Sequence, residues 1–379
     1  SNMMALSLQN DFAVGLLKLS TAAADDLLNT HVSADRSLAI LDAMGKELQD
    51  AFRHTRSSRQ RIRVLRRFVF GKTGFRFDVS DTHGDELSNL LLHMVLANKQ
   101  GICLTLSLLL LCLAEEVHLP LSGVYVPGHL FVRYSVNDTV INIDPSCGGR
   151  HFADSYYAKH YSVPSQSLFC LRELTKEEAF GLYLNSIGVA YAKAGWGNKA
   201  LNVLQQAVAL VKENPEVYHN LGNILKQKGR STEAKRAYQK ALSLHPHYAA
   251  AYYQIGNLYR ETEHAEEAAQ AYAKALDIQP DLLRAQVNLA LVYCNSGRTD
   301  EAMGLVKKAL HLAPRDHDAH VVLALCYEAK GMAKKAIEEY ETALSIYPEN
   351  DELRARLLTL KEHGSTARKG DNGAEITKQ

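Results

Sequence analysis

Residues 216–246 read EVYHNLGNILKQKGRSTEAKRAYQKALSLHP, and residues 250–280 read AAYYQIGNLYRETEHAEEAAQAYAKALDIQP, one pattern displaced by 34 positions. The step of 34 carries Gly222 back to Gly188 and forward through Gly256 to Ala290 and Ala324. Ala200, Ala234, Ala268, Ala302 and Ala336 form a second series, and Ala207, Ala241, Ala275, Ala309 and Ala343 a third. Pro246, Pro280, Pro314 and Pro348 form a fourth, with Lys212 where its first member would fall. Small residues recur where helix backbones approach closely, and proline cannot continue the helix it follows. Five such units cover Gly181 to Asn350.

The pattern resembles the tetratricopeptide repeat (TPR), a pair of antiparallel helices with small residues at these places. That resemblance implies an all-α superhelical solenoid over 175–350. Its start is marked by Thr175-Lys176-Glu177-Glu178, a capping box in which Thr175 and Glu178 satisfy each other's backbone N–H. A repeat cannot bury its apolar face alone, so 351–363 is expected as a polar capping helix. The polar residues 364–379 read as a disordered tail. The first helix of each unit is expected to line a concave groove. There Asn223 and Asn257, one repeat apart, are candidates to hydrogen-bond the backbone of a protein or peptide partner. Val189, Leu291 and Leu325 hold the matching places in other units.

Composition narrows the remaining classes. With 379 residues, 46% of them hydrophobic and 22% charged, the chain has enough apolar material for two or three cores. Lysine plus arginine number 43 against 42 acidic residues, which removes bulk attraction to nucleic acid or membrane. Six cysteines without a CxxC pair exclude a zinc ribbon or thioredoxin-type motif, and they read as reduced thiols in a cytoplasmic protein. No metal or other cofactor is expected. The longest apolar run, Ile102 to Leu113, is far short of the roughly 20 residues that span a bilayer, and is expected as a buried core helix. No secretory signal is read at the start, where Ser1 to Met4 are set aside as a cloning remnant. The basic segment from Arg53 to Lys72 carries Ile62, Leu65 and Phe68 at helical spacing. These three are expected to turn inward and leave the arginines solvated, with no nucleic-acid partner.

Upstream of the repeats, residues 5–174 read as an α+β domain. Helical periodicity runs from Leu6 to Phe70. Val124 to Tyr134 and Thr139 to Asp144 read as strands flanking a turn at Asn137-Asp138. Cys103 follows Gly101-Ile102 at the entry to the apolar helix, where unpaired N–H groups and the helix dipole favour a thiolate and can receive an oxyanion. Cys112, inside the leucine run, is core. A two-residue loop at Asn137-Asp138 pairs Val136 with Thr139 and therefore places His129 and Asp144 on one sheet face. Thiol, imidazole and carboxylate together suit nucleophilic catalysis, with Cys103 as nucleophile, His129 as proton carrier and Asp144 as the orienting anion. Cys147, three residues past Asp144, reads as an ordinary loop thiol.

The stretches NLLLHMVL at 89–96, GICLTLS at 101–107, GVYVPGHLFVR at 123–133 and NIDPSCGG at 142–149 resemble the bacterial transglutaminase-like core family, whose members are often joined to TPR arrays. The similarity covers roughly residues 30–170. It implies a papain-like fold with Cys103, His129 and Asp144 at the triad positions. Leu104 stands where true transglutaminases carry an aromatic, which turns the reading away from crosslinking and toward amide or ester hydrolysis. The expected function is thus a cysteine-dependent acyl-transfer enzyme whose repeats recruit a protein partner or substrate. The competing expectation is a non-catalytic interaction scaffold.

Overall fold

The computed structural model describes residues 12–371 except 82–83 and 165–166, and within 363–371 the backbone alone. The chain divides into two compact units, residues 1–245 and 246–379. The first joins the α+β domain to the first two helical pairs. The second holds three further pairs and a last helix.

Three helices open the described chain: α1 (Phe12–Leu28), α2 (Ala34–Phe52) and α3 (Ser58–Arg66), the last running into a π-helical turn over Arg67–Lys72. Ser33 and Ser57 cap α2 and α3 by accepting first-turn amides. Ile62, Leu65 and Phe68 are buried, so the basic segment is a solvated face on an apolar stripe. β1 (Arg76–Phe77) and β2 (Gln100–Gly101) form a short parallel pair, with α4 (Leu87–Leu90) and α5 (Leu92–Asn98) between them. The chain then enters α6 (Cys103–Glu116), whose residues Cys103 to Ala114 are all buried. A helix apolar on every side belongs inside a domain. Each fully buried leucine there contributes about 2 kcal/mol of burial.

The second sheet has the order β5-β4-β3-β6, all antiparallel, from β3 (Leu121–Val126), β4 (His129–Val136), β5 (Thr139–Ile143) and β6 (Glu173–Leu174). Val124 to Tyr134 is therefore two strands, not one. Pro127-Gly128 forms a tight turn between them, with Gly128 at φ +71, and Val126 pairs with His129. Proline presets the first turn position and glycine supplies the left-handed second one. At the next turn Val136 pairs with Thr139, with Asn137 in the left-handed region. A 3₁₀ turn (Pro145–Cys147) and α7 (Asp154–His160) close the domain.

The repeats follow as helix pairs. α8 (Lys176–Lys193) with α9 (Gly197–Leu210) and α10 (Pro215–Gln227) with α11 (Ser231–Leu244) lie in the first unit. The second unit continues with α12 (Ala249–Glu261), α13 (Ala265–Ile278), α14 (Leu283–Asn295), α15 (Thr299–Leu312), α16 (His317–Ala329), α17 (Ala333–Ile346) and α18 (Asp351–Asp371). Every alanine of the second and third periodic series is fully buried. The Thr175 hydroxyl accepts from the Glu178 amide at 3.2 Å, and the Glu178 carboxylate accepts from the Thr175 amide at 2.9 Å. A Cβ on Gly222 would lie 2.5 Å from the Tyr238 ring, and one on Gly256 would lie 2.6 Å from Tyr272. These glycines make room for a tyrosine from the second helix of their own pair.

The first repeat helix starts at the Thr175 capping box, and the apolar core continues across it. One continuous apolar core runs from Phe12 through Ile187 and Leu204 to Ile224, so the core does not end at Thr175. Leu182, Tyr183 and Leu184 of α8 are buried in it, which is why the first repeats belong to the same compact unit. At the other end, α18 continues past residue 363 to Asp371, overlapping the expected tail, because Gly364 costs a helix only about 1 kcal/mol. The rest of that tail, 372–379, and the remnant Ser1 to Met4 lie outside the described residues. Leu353 and Leu357 of α18 pack on Tyr340 and Ala343 of α17, covering the last repeat.

Candidate active site

Gly101 delivers Cys103 to the first position of α6. A Cβ at Gly101 would lie 2.7 Å from the Thr105 hydroxyl and 3.0 Å from Val95, so only glycine lets the helix fold back over its own entry. Thr105 accepts from the Ile102 amide at 3.2 Å and donates to the Asn89 carbonyl at 2.8 Å. Ile102, the residue that precedes the helix, has an apolar side chain and makes no side-chain cap hydrogen bond to the first-turn amides beside Cys103. Cys103 is 7% exposed and Cys112 1%. Burial alone does not distinguish the two; Cys103 has the His129 imidazole near it.

His129 begins β4 immediately after the Pro127-Gly128 turn. Its Nε2 lies 3.2 Å from Asp144 Oδ2, and the Cys103 thiol lines the same cleft, near enough to act on the ring electrostatically. Asp144 sits one residue beyond β5. Its Oδ1 accepts from the Ser146 amide at 3.0 Å and the Ser146 hydroxyl at 2.6 Å, while Oδ2 also accepts from the Tyr157 hydroxyl at 3.2 Å. Both His129 and Asp144 are buried. Burial opposes a charged imidazole, but hydrogen bonds and charge from Asp144 and Cys103 outweigh it and raise His129 to about 9. Burial likewise pushes Asp144 up, and the His129 and Ser146 contacts overcome it, holding the carboxyl below its ordinary value.

Strand parity relates His129 to Asp144 in the sequence, but nothing there discloses the aromatic case around them. The Tyr161 ring stacks on His129 with centroids 4.8 Å apart, and Tyr157 stacks on Phe131 at 3.9 Å. Burial first, then the Asp144 charge, pushes both tyrosine hydroxyls well above their usual range, so each remains a neutral donor. The cluster DSYYAKHY at 154–161 is the visible signal, though no periodicity ties it to Asp144. Cys147 is exposed, receiving a weak hydrogen bond from Ser146 at 3.7 Å. Among the described residues no group of three or more His, Cys, Asp or Glu could hold a metal ion.

In front of Cys103 and His129 lies a cleft of about 170 Å³. It is lined by Tyr125, Gly128 and Leu130 of the α+β domain together with Leu182, Asn185 and Ser186 of α8 and Glu216 of α10. The repeats thus complete the site. Of the two candidate partner-binding residues, Asn223 accepts from the Tyr238 hydroxyl at 2.8 Å and lines a separate cavity of about 270 Å³. Asn257 is buried, donating to Gln254 and accepting from Tyr272 and Asn288. Its amide is engaged within the fold.

The family model of the transglutaminase-like superfamily matches residues 35–167, and tetratricopeptide-repeat models match 188–229, 213–281 and 254–360. This chain carries a transglutaminase-like domain followed by tetratricopeptide repeats. A UPF0162 protein of Xylella fastidiosa (strain Temecula1 / ATCC 700964) is 30% identical over 92 residues, 24% of this chain and 31% of that protein. A UPF0162 protein of Pasteurella multocida (strain Pm70) is 30% identical over 116 residues, 31% of this chain and 41% of that protein. The chain therefore spans about a third to two fifths of the curated relatives it matches. Among solved structures, YrrB, described as a TPR protein with an unusual peptide-binding site, aligns at TM-score 0.40 and 21% identity, covering 48% of this chain and 92% of that one. No described helix is long and apolar enough to cross a membrane.

Proposed function

We propose that the transglutaminase-like domain catalyses thiol-dependent acyl transfer, hydrolysing an amide or related bond. The observation that carries the reading is His129, hydrogen-bonded to Asp144, lining one cleft with Cys103. In this reaction the Cys103 sulfur attacks the carbonyl carbon, forming the S–C bond, while the carbonyl π pair moves to oxygen. First-turn amides of α6 receive that oxyanion. The imidazolium gives its proton to the leaving nitrogen as the C–N bond breaks, leaving an acyl thioester. Neutral His129 then takes a proton from water, hydroxide adds to the thioester, and the S–C bond breaks to restore thiolate and imidazolium. Asp144 orients the ring and stabilises its charge throughout.

Chloroacetamide near neutral pH provides the test, with each thiol followed by peptide mass spectrometry. Cys103 is expected to react far faster than Cys112, and His129→Ala to remove that preference. Equal, slow modification of both thiols would overturn the reading and leave a binding platform.

A further inference from the structure

We propose that the first two repeats form the substrate half of this site and that Glu216 selects an extended peptide with a positively charged residue next to the acyl group presented to Cys103. The proposal rests on the acyl-transfer reading and supplies its substrate class.

Apart from His129, Glu216 is the only charged residue lining the cleft. Asn214 fixes its place at the start of α10 by accepting the Glu216 amide at 2.8 Å. The Tyr125 hydroxyl donates to one carboxylate oxygen at 2.7 Å. Burial, followed by the Glu216 charge, pushes that phenol well above its ordinary range, so it remains a neutral donor. Glu216 is partly buried, and no lysine, arginine or histidine among the described residues forms an ion pair with it. A carboxylate withdrawn from water with only a neutral donor lacks the compensation that a cation brings. A guanidinium or ammonium entering the cleft supplies it.

The groove continues away from the thiol. Asn185, Ser186 and Glu216 also line an adjoining cavity of about 370 Å³, which reaches Val189 and Lys193. Those two residues in turn line the 270 Å³ cavity containing Asn223. Asn185, Val189 and Lys193 recur every fourth residue along one face of α8, a run of about 12 Å that accommodates about four residues of extended peptide. Asn220 donates to the Asn185 carbonyl oxygen at 3.0 Å, and Tyr238 donates to that of Asn223, which orients both NH₂ groups for peptide carbonyls. At the far end Lys193 is paired with Asp85, so Glu216 remains the charged group that discriminates.

The full chain is treated with tetrapeptidyl chloromethyl ketones carrying either arginine or glutamate at the first or second residue before the ketone. Sulfur displaces chloride and forms a bond to the methylene carbon, so the rate of Cys103 modification reads peptide fit directly. Arginine is expected to outpace glutamate by about tenfold in at least one position. Glu216→Gln should reduce that ratio to near unity, and Glu216→Lys should invert it. Because each ratio compares two probes on one variant, a general loss of reactivity cancels. If chloroacetamide modifies Cys103 selectively but arginine and glutamate probes react alike in the unaltered protein, the inference fails and acyl transfer stands. If no electrophile prefers Cys103, acyl transfer fails and the inference fails with it.

Discussion

Replacing Asp144 by alanine removes the anion that holds the imidazole charged, and the structure sets the size of the effect. His129 titrates near 9 because hydrogen bonds and charge from Asp144 and Cys103 overcome burial, the largest single influence on the ring. Without the carboxylate, burial draws the value back toward the ordinary 6.5. At pH 7.5 an imidazole titrating near 9 is about 97% protonated, whereas one at 6.5 is about 9% protonated. The imidazolium available to stabilise the Cys103 thiolate therefore falls about tenfold, and the rate of Cys103 alkylation should fall with it. Asp144→Asn retains an acceptor without the charge and should lie between the two. The assay is chloroacetamide modification at pH 7.5, with exposed Cys147 as internal standard and buried Cys112 as the reporter of unfolding. An alanine variant that leaves Cys112 protected yet modifies Cys103 at the unaltered rate would refute the reasoning, since the carboxylate would then contribute nothing to the imidazolium.

Other perturbations follow from the same geometry. Gly101→Ala forces a Cβ to within 2.7 Å of Thr105 and should cost about 1–3 kcal/mol in urea unfolding while slowing Cys103 modification. Gly222→Ala meets the Tyr238 ring at 2.5 Å and should destabilise by a similar amount, whereas Gly304→Ala, exposed within α15 with nothing near its Cβ position, should stabilise by about 0.5–1 kcal/mol. Tyr157→Phe keeps the ring stack and removes one donor to Asp144, an expected loss of about 1 kcal/mol readable as a lowered melting temperature. The raised His129 value means its contribution to stability is complete below pH 6.5 and fades as pH rises through about 9. Asp144 works the other way, contributing above pH 3.8 and losing its effect as pH falls through its lowered value. Urea midpoints of the unaltered protein should thus decline between pH 6.5 and 9.5 relative to His129→Gln, and a constant difference would contradict the charged state assigned to the ring.

The parts of this molecule legible in the sequence are those that repeat or obey local parity. Alanines at a step of 34 disclose close helix contacts because packing at one such contact resembles packing at the next. A two-residue turn between Val136 and Thr139 fixes which side chains share a face, and that suffices to bring His129 toward Asp144. Tyr157 and Tyr161 escape because they belong to the short helix Asp154–His160 and its end, whose packing on His129 and Phe131 no strand parity predicts. Asn223 and Asn257 each have an intramolecular partner that the sequence does not disclose. Both look alike in the sequence, yet Gly222-Asn223 and Gly256-Asn257 are each accounted for by a tyrosine fifteen positions onward, whose ring fills the glycine and whose hydroxyl meets the asparagine.

Glu216 marks the harder limit. It is 113 residues from Cys103 and looks like any acidic residue at a helix start, where the dipole favours one. What gives it a different role is the continuous core that fastens the first repeats to the α+β domain. Leu182 to Leu184 are buried, and the next turn of the same helix puts Asn185 and Ser186 into the cleft, with Glu216 beside them from the following pair. A repeat pair held by a flexible linker could bring a partner near the thiol without shaping what reaches it. Here repeat residues line the same cleft as Cys103, so on the proposed reading recruitment and selectivity would share a surface. Altering Glu216 should therefore change which peptide reacts at Cys103, even though the residue belongs by sequence to the repeats.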